Sequence, residues 1–312
     1  MKAHLTGQYL YLLARPPGEE ELAELELAAL TGLRTEGKPF GLGPRADTAR
    51  SAYGLACVEL IAQGAALADI VRQIAGLAAD RFRIEVSKHP RGLDFDGLQA
   101  MIALADRIEG RPDLSNPEVR FLLVVTPKGL HFGRLVQEPD RAWQARGQKP
   151  HLYSCSIPPR IARAMVNLGG QPGDRLLDPC CGSGAILIEA ASMGLETFGC
   201  DVSPLWAGRA AENAAHFGRP VRTWAQDARE LTGDYDVIVS NLPYSAIAAR
   251  GANAAETCRQ IVTHLTAVAP KLVIAVAHDA GEMLAEAGWR VLGQAEGRRG
   301  RLTRRYYVCQ RS

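Results

Sequence analysis

Residues 175–190 read Arg175-Leu-Leu-Asp-Pro-Cys-Cys-Gly-Ser-Gly-Ala-Ile-Leu-Ile-Glu-Ala190. The apolar pair before Asp178 predicts a buried strand, and the run from Ile186 to Met193 predicts a helix. Between them, Gly182 and Gly184 allow a tight turn and a close approach of the backbone to a ligand, because neither residue carries a Cβ atom. A strand, a glycine loop and a helix in this order are typical of an open α/β sheet, which binds ligands at the carboxyl ends of its strands.

The chemistry of this loop distinguishes between two classes of ligand. Dinucleotide-binding proteins require G-x-G-x-x-G, but Leu187 stands where the third glycine would be. The carboxylate of Asp178 would repel a pyrophosphate, whereas it can accept hydrogen bonds from an ammonium group. The free N–H groups at the start of the helix suit a carboxylate. The methionine end of S-adenosylmethionine carries both groups, so the sequence predicts this cofactor in preference to NAD, FAD or ATP.

Two further acidic residues end predicted strands downstream of the loop. Asp201 follows Thr197-Phe-Gly-Cys200, about 20 residues after the loop, and this spacing suits an acid bonded to ribose hydroxyls. Asp201-Val-Ser-Pro204 is also typical of a helix entry, and the two roles are compatible. Asp227, which ends a third predicted strand, can accept a hydrogen bond from the adenine amine. The predicted cofactor-binding residues are Asp178, Cys180, Gly182, Ser183, Gly184, Asp201, Val202, Asp227 and Ala228.

A second motif, Ser240-Asn-Leu-Pro-Tyr244, follows the predicted buried strand Tyr235-Asp-Val-Ile-Val239. An exocyclic amine is a poor nucleophile because its lone pair is delocalised into the ring. Two acceptors that hold its hydrogens bias the amine towards tetrahedral geometry. Asn241 offers a side-chain oxygen, and Leu242 offers a backbone carbonyl that Pro243 orients by keeping Leu242 extended. Tyr244 offers a flat face for base stacking, worth about 1–3 kcal/mol per base.

The context of this tetrapeptide decides between a turn and a site. Asn-Leu-Pro-Tyr in isolation is more often a type I turn. Its place after a buried strand and downstream of the glycine loop favours methyl transfer to an exocyclic amine of a nucleobase. A cysteine-nucleophile enzyme acting on pyrimidine C5 is not expected, because Tyr244 stands where an accessible thiol would be needed. The predicted catalytic residues are Asn241, Leu242, Pro243 and Tyr244.

Composition indicates an ordinary globular protein. A chain of 312 residues suggests about two domains, and 47% hydrophobic with 22% charged residues supports a sizeable core. No run of 18 apolar residues and no signal-peptide pattern is present, so we expect a cytoplasmic protein without membrane association. Seven cysteines without C-x-x-C or a Cys/His cluster of zinc spacing predict reduced thiols and no metal site.

The net charge is only +2, but the positive charge is concentrated near residue 300. The segment Arg298-Arg-Gly-Arg-Leu-Thr-Arg-Arg305 lies between Trp289-Arg-Val-Leu292 and Tyr306-Tyr-Val-Cys309, which resemble the two strands of a hairpin. This arrangement would place several guanidinium groups on one edge of the sheet, near the acceptor site. We interpret it as a phosphate-binding surface, with a merely solvated hairpin as the alternative.

The two halves of the chain differ in organisation. Up to about residue 138, strands and helices alternate in a way that indicates one or two small α+β units. Residues 138–150 contain Pro139, Gly147 and Pro150 and have the composition of a linker. From Ile157 onward, strands and helices alternate in the manner of a doubly wound α/β sheet.

Taken together, the chain resembles the THUMP-containing tRNA (guanine-N2) methyltransferases, and within them the guanosine-10 enzymes. Four stretches carry the resemblance, over most of residues 81–312: residues 81–118 as a THUMP domain, Ile157–Leu168 as the helix that leads into the catalytic domain, Asp178–Ala190 as the cofactor loop, and Arg301–Val308 as the C-terminal strand motif. The resemblance implies a class I, Rossmann-like, seven-stranded methyltransferase domain, preceded by an α+β THUMP-containing region. The expected domains are a ferredoxin-like module (1–62), a THUMP-like RNA-binding domain (63–138), a linker (139–156) and an S-adenosylmethionine-dependent methyltransferase domain (157–312).

The resemblance also implies a substrate and a reaction. The expected substrate is tRNA, methylated at the N2 amine of a guanosine such as guanosine-10. The guanosine-10 enzymes usually have Asp-Pro-Pro-Tyr at the acceptor site, and this chain has Asn241-Leu-Pro-Tyr244. An adenine-N6 methyltransferase acting on RNA or DNA therefore stays open as an alternative, as does a non-catalytic tRNA-binding protein. The predicted RNA-binding residues are Lys88, Arg91, Arg298, Arg299, Arg301, Arg304 and Arg305.

Overall fold

The computed structural model describes residues 7–243, 254–300 and 302–312. The strands are β1 (Tyr9–Leu13), β2 (Phe40–Gly43), β3 (Gly54–Gly64), β4 (Phe82–Lys88), β5 (Val119–Thr126), β6 (Gly129–Gln137), β7 (Arg175–Asp178), β8 (Glu196–Asp201), β9 (Arg222–Ala225), β10 (Val237–Asn241), β11 (Lys271–Val276), β12 (Trp289–Arg299) and β13 (Leu302–Arg311). The helices are α1 (Glu20–Thr31), α2 (Leu67–Gln73), α3 (Gly97–Ala105), α4 (Pro159–Gly169), α5 (Ala185–Ser192), α6 (Pro204–His216), α7 (Ala254–Leu265) and α8 (Gly281–Glu286). None of the helices in these ranges combines the length and hydrophobicity needed to cross a membrane.

The described residues form two compact units. The first comprises residues 7–14, Thr35–Ala49 and Gly54–Pro139. Its six-stranded sheet has the order β2-β1-β3-β6-β5-β4, and only the β4–β5 pair is parallel. Three phenylalanines of β4, β5 and β6 pack in its core: Phe121 stacks on Phe132 with ring centroids 5.3 Å apart and meets Phe82 edge to face at 6.1 Å.

The predicted boundary between residues 62 and 63 falls inside β3. This strand is apolar over most of its length and forms hydrogen bonds with β1 on one side and β6 on the other. Strands on both sides of residue 62 therefore belong to one sheet. The identification of residues 63–138 as a THUMP-like domain stays a prediction.

The second unit comprises Arg15–Arg34, Arg50–Tyr53 and Asp140–Ser312. Its sheet has the order β12-β13-β11-β10-β7-β8-β9, in which β7 to β11 are parallel and β13 is antiparallel to both of its neighbours. From β7 the chain runs to β8 and β9 on one side and to β10 on the other. The switch point between β7 and β10 opens a crevice at the carboxyl ends of these strands, where such sheets bind ligands. The predicted seven-stranded α/β fold is confirmed.

The second unit begins earlier than residue 157, because α1 is part of it. Glu26 of α1 is fully buried and accepts hydrogen bonds from Ser51 Oγ (2.7 Å), the backbone N–H groups of Ala52 and Tyr53 (2.8 and 3.0 Å) and Asn167 Nδ2 of α4 (2.6 Å). A buried carboxylate with these donors holds α1 against α4.

The segment predicted as a linker is also tied into this unit. It contains a 3₁₀ turn, Ala142–Gly147, in which Arg146 is buried. The Arg146 guanidinium donates to the carboxylate of Glu189 in α5 at 2.7 Å. Arg146 therefore ties this segment to α5 of the second unit.

Candidate active site

A cavity of about 480 Å³ lies at the carboxyl ends of β7, β8 and β10. Its walls contain most of the residues predicted from the two motifs, which are Asp178, Cys180, Gly182, Ser183, Asp201, Val202, Asp227, Ala228, Asn241, Leu242 and Pro243. Gly184 does not line the cavity and is the N-cap residue of α5. Tyr244 and Arg301 lie outside the described residues.

Asp178 ends β7 and is only 2% exposed. Its Oδ1 atom accepts hydrogen bonds from Ser240 Oγ (2.7 Å) and from the backbone N–H of Cys180 (3.2 Å). Burial raises the pKa of the Asp178 carboxyl to about 7, and the two hydrogen bonds oppose that rise. Both bonds use the same oxygen, so the second oxygen can accept from a cationic ligand group in the cavity.

The glycine loop depends on left-handed backbone at two positions. Gly182 has φ 49° and Gly184 has φ 78°. A Cβ atom on Gly182 would lie 3.2 Å from the ring of Tyr153, and one on Gly184 would lie 3.1 Å from Cβ of Ala210. Both conformation and space therefore require glycine here.

Asp201 holds this loop against the end of β8. One carboxylate oxygen accepts from the Gly182 N–H at 3.0 Å, and the other accepts from the Ser203 N–H at 2.8 Å. The bond to Ser203 supports the turn into α6, so the residue has the helix-entry role expected from the sequence. Asp201 also lines the cavity, so its carboxylate can face a ligand there as well.

Asp227 is held by an arginine that the sequence motifs did not single out. Its carboxylate accepts from the backbone N–H of Arg229 at 2.9 Å and from Nη2 of the same residue at 2.6 Å. The side-chain hydrogen bond from Arg229 lowers the pKa of Asp227, and Arg229 in turn donates to Gln260 at 2.7 Å. Arg229 lines the cavity, so it restricts the directions from which Asp227 can accept a ligand hydrogen bond.

The acceptor motif begins at the last residue of β10. Asn241 Nδ2 donates to the Cys155 carbonyl at 3.4 Å, while its Oδ1 atom is buried and has no hydrogen-bond partner among the described residues. The next residue, Leu242, is fully buried and its N–H donates to the Ala275 carbonyl of β11 at 3.1 Å. The amide nitrogen is thus engaged by the protein, whereas the oxygen of this cavity-lining residue still has the capacity to accept a hydrogen bond.

Sequence reasoning missed one wall of the cavity. Tyr153, Cys155, Ser156 and Ile157 line it, although the sequence predicts a linker at the first three positions. The Tyr153 ring packs against Trp206 of α6, with centroids 4.4 Å apart. The aromatic residue Tyr153, six residues before α4 begins, is a local signal of this role.

Packing within the second unit reduces the number of exposed arginines in the basic segment 298–305. Arg304 is only 6% exposed, so its guanidinium is not on the surface predicted to contact phosphate. Arg305 is paired with Glu296 at 3.3 Å and with Asp279 at 3.6 Å. Arg298 and Arg299 are exposed at the end of β12.

The register shows where these arginines lie relative to the acceptor. Arg305 pairs with Val276, the last residue of β11, at the carboxyl edge of the sheet. Arg298 and Arg299 pair with Thr303 and Leu302, so they extend beyond that edge.

The remaining two predicted RNA-binding residues lie in the first unit. Arg91 is exposed, and the Lys88 ammonium donates to the Phe95 carbonyl at 3.3 Å. In the described ranges, no group of three or more His, Cys, Asp or Glu residues could hold a metal ion.

Comparisons with known proteins agree with this geometry. Residues 146–305, just over half of the chain, match the family model for the RMKL-like methyltransferase domain, UPF0020. The chain is 41% identical over 119 residues to a tRNA (guanine(10)-N2)-dimethyltransferase of Methanothermobacter thermautotrophicus. That alignment covers 36% of this chain and 35% of the relative. It is 34% identical over 145 residues to a tRNA (guanine(6)-N2)-methyltransferase of Thermus thermophilus. This second alignment covers 42% of this chain and 41% of the relative.

The alignments thus span less than half the length of these two curated relatives. Among solved structures, TrmN from Thermus thermophilus superimposes with a TM-score of 0.51 over 98% of this chain and 100% of its own, at 21% identity. This likeness supports the class I methyltransferase fold. The matched family model and the seven-stranded sheet with its site at the switch point show that this chain belongs to the RMKL-like methyltransferase family.

Proposed function

We propose that this protein transfers a methyl group from S-adenosylmethionine to the N2 amine of a guanosine in tRNA. The observation that carries the proposal is the amide of Asn241. This residue lines the cavity together with Asp178 and Asp201, and its amide oxygen is buried without a partner among the described residues. An unpaired buried acceptor costs free energy in the free protein, and a substrate amine would remove that cost.

The residues of the cavity fit S-adenosylmethionine. A volume of about 480 Å³ is within the range of small-molecule sites. Asp178 would accept from the ammonium group, Asp201 from the ribose hydroxyls, and Asp227 with Ala228 would bind the adenine edge. The two glycines allow the left-handed backbone of the loop, and Gly182 also lines the cavity. When bound, the cofactor supplies a methyl group that its sulfonium already activates, so the protein contributes positioning and electrostatics.

The acceptor residues would position the base. Asn241 Oδ1 and the Leu242 carbonyl would accept the two hydrogens of the amine, and Tyr244 would stack on the ring. The contact from Nδ2 to Cys155 determines which end of the amide faces the substrate. A base in a paired stem must first leave the stack, at a cost of a few kcal/mol that binding of the rest of the tRNA would offset.

The substrate assignment rests on what the two relatives described above share. The names of the two relatives place methylation at different positions, 10 and 6, but both name the N2 amine of guanine in tRNA. Arg298 and Arg299 at the carboxyl edge, and Lys88 and Arg91 in the segment predicted to be THUMP-like, would contact the phosphates. A tRNA substrate agrees with the expected cytoplasmic location.

The test is transfer of tritium from labelled S-adenosylmethionine to unmodified bulk tRNA, followed by mass spectrometry of the nucleosides. We expect N2-methylguanosine or its dimethyl form. N6-methyladenosine would instead select the adenine alternative with the same fold and cofactor. Cofactor binding without transfer to any RNA would favour a non-catalytic binding protein.

Replacing Asp201 by alanine is expected to weaken cofactor binding about 10- to 100-fold. The change removes a ribose acceptor and also the bond that holds the Gly182 N–H, and each charged hydrogen bond contributes roughly 1.5–3 kcal/mol. Isothermal titration calorimetry with S-adenosylhomocysteine measures the affinity. Unchanged affinity would remove Asp201 from the ribose site.

The affinity for S-adenosylhomocysteine is expected to fall as the pH is lowered from 7.5 to 5.5. Burial raises the pKa of Asp178 to about 7, so below that pH the carboxyl is protonated and carries no charge for the ligand's ammonium group. Each pH unit well below this pKa should weaken binding by about tenfold. The Asp178→Asn variant is the control, since it should bind weakly with no such slope. A flat profile in the unaltered protein would contradict the predicted contact.

A further inference from the structure

Lys149 is a partly buried lysine beside the glycine loop that no sequence motif singled out. Its Nζ atom donates to Ser156 Oγ at 3.1 Å, and Ser183 Oγ donates to the same oxygen at 3.2 Å. Both serines line the cavity, and Ser183 belongs to the glycine loop. The lysine ammonium is therefore linked to the loop through one hydroxyl.

The position of this lysine is determined by a buried clamp. Asn213 of α6 is fully buried; its Nδ2 atom donates to the carbonyls of His151 and Ser183, each at 2.9 Å, and its Oδ1 atom accepts from the His151 N–H at 2.8 Å. The clamp joins the segment that carries Lys149 and Ser156 to the loop that carries Ser183. The arrangement is thus part of the folded interior rather than a chance contact of a surface side chain.

The charge of Lys149 has no acidic partner within residues 7–243, 254–300 and 302–312. Burial alone lowers the pKa of its ammonium to about 8, and no nearby carboxylate opposes the shift. A partly desolvated cation without a counter-ion is unfavourable in the free protein. The amino-terminal end of α5 adds partial positive charge on the same side of the cavity. This side of the cavity therefore carries positive charge and favours an anionic group of the ligand. The side formed by Asp178 favours a cationic group.

We propose that Lys149 is a positioning residue for the carboxylate of the cofactor's methionine end and acts through the hydroxyls of Ser156 and Ser183. Ser156 Oγ accepts from both neighbours, and among the described residues its own hydrogen has no acceptor nearer than the Ile157 carbonyl at 3.5 Å. That hydrogen can turn towards a ligand carboxylate, and the ammonium strengthens it as a donor. This inference rests on the proposed function and adds a residue to it.

The test compares two ligands that differ only in the amino-acid end. S-adenosylhomocysteine carries the carboxylate, and 5′-methylthioadenosine lacks it. We expect Lys149→Met to weaken S-adenosylhomocysteine about tenfold by calorimetry, the size of one charge-assisted contact, and to change the affinity for 5′-methylthioadenosine less than about twofold. Lys149→Arg, which keeps the charge, should retain more of the affinity for S-adenosylhomocysteine than Lys149→Met.

The control is Lys271→Met, the same change at an exposed lysine. Lys271 is the first residue of β11, whereas the cavity lies at the carboxyl ends of the parallel strands. This substitution should leave both affinities unaltered. An equal loss for both ligands in Lys149→Met would assign the lysine a structural role, and an unchanged affinity for S-adenosylhomocysteine would show no role at all; either result overturns the inference. If the unaltered protein binds neither ligand, the proposed function itself fails.

Discussion

Replacement of Asn241 by alanine is expected to lower kcat on tRNA by about 10²- to 10³-fold, the effect of removing one preorganised polar contact from a reacting group. The physical reason is the buried Oδ1 atom, which has no other hydrogen-bond partner among the described residues and would be lost with the amide. The affinity for S-adenosylhomocysteine should change less than about threefold, because the predicted cofactor contacts lie on other strands. Tritium transfer at saturating cofactor, with calorimetry on the same sample, measures both quantities.

The Asn241→Asp variant separates the acceptor role of the side chain from its hydrogen bond to the Cys155 carbonyl. Aspartate keeps an acceptor oxygen for the amine, but its ionised form cannot donate to the Cys155 carbonyl as the Asn241 amide does. We expect activity between that of the unaltered protein and that of the alanine variant. Full turnover by Asn241→Ala would exclude this residue as the acceptor of the substrate amine.

Replacement of Glu26 by alanine is expected to lower the free energy of unfolding of the second unit by about 3 kcal/mol or more. The carboxylate is fully buried and accepts four hydrogen bonds, so its loss leaves several buried donors unpaired. All four tryptophans lie in this unit, at positions 143, 206, 224 and 289, so tryptophan fluorescence in urea reports its unfolding.

The matched control is Glu24→Ala on the same helix. Glu24 is partly exposed and paired with Arg15 at 2.7 Å, and such pairs contribute about 1 kcal/mol or less. Equal and small effects of the two substitutions would show that α1 is dispensable for the second unit. A large effect of Glu26→Ala alone would show that a catalytic fragment cut at residue 157 lacks part of its own core.

The parts of the fold that could be predicted from sequence are those that depend on neighbouring residues. The apolar runs and the breaks at glycine placed β7 and α5 to within one or two residues of their observed bounds. The strand predicted over residues 235–239 instead begins and ends two residues later, at Val237–Asn241. Such an end depends on backbone geometry that periodicity does not report.

The residues of the candidate site also divide into those recognisable from local sequence and those that depend on distant partners. Asp178, the two loop glycines and Asn241 could be recognised because each motif is continuous in the chain and combines a strand end with a specific chemical group. Arg229, Lys149 and Asn213 could not, because their roles depend on partners brought together by folding. His151 and Ser183, which Asn213 joins, are 62 and 30 residues away from it in sequence.

The amino-acid order alone was sufficient for the α/β class, the glycine loop and the acceptor motif, since periodicity and local turn chemistry act over a few residues. Only the tertiary structure decided that α1 belongs to the second unit, that Arg304 is buried, and that the segment before α4 forms a wall of the cavity. These features depend on which distant groups share the interior. Burial and hydrogen bonding at long sequence separation leave no periodic signal in the chain.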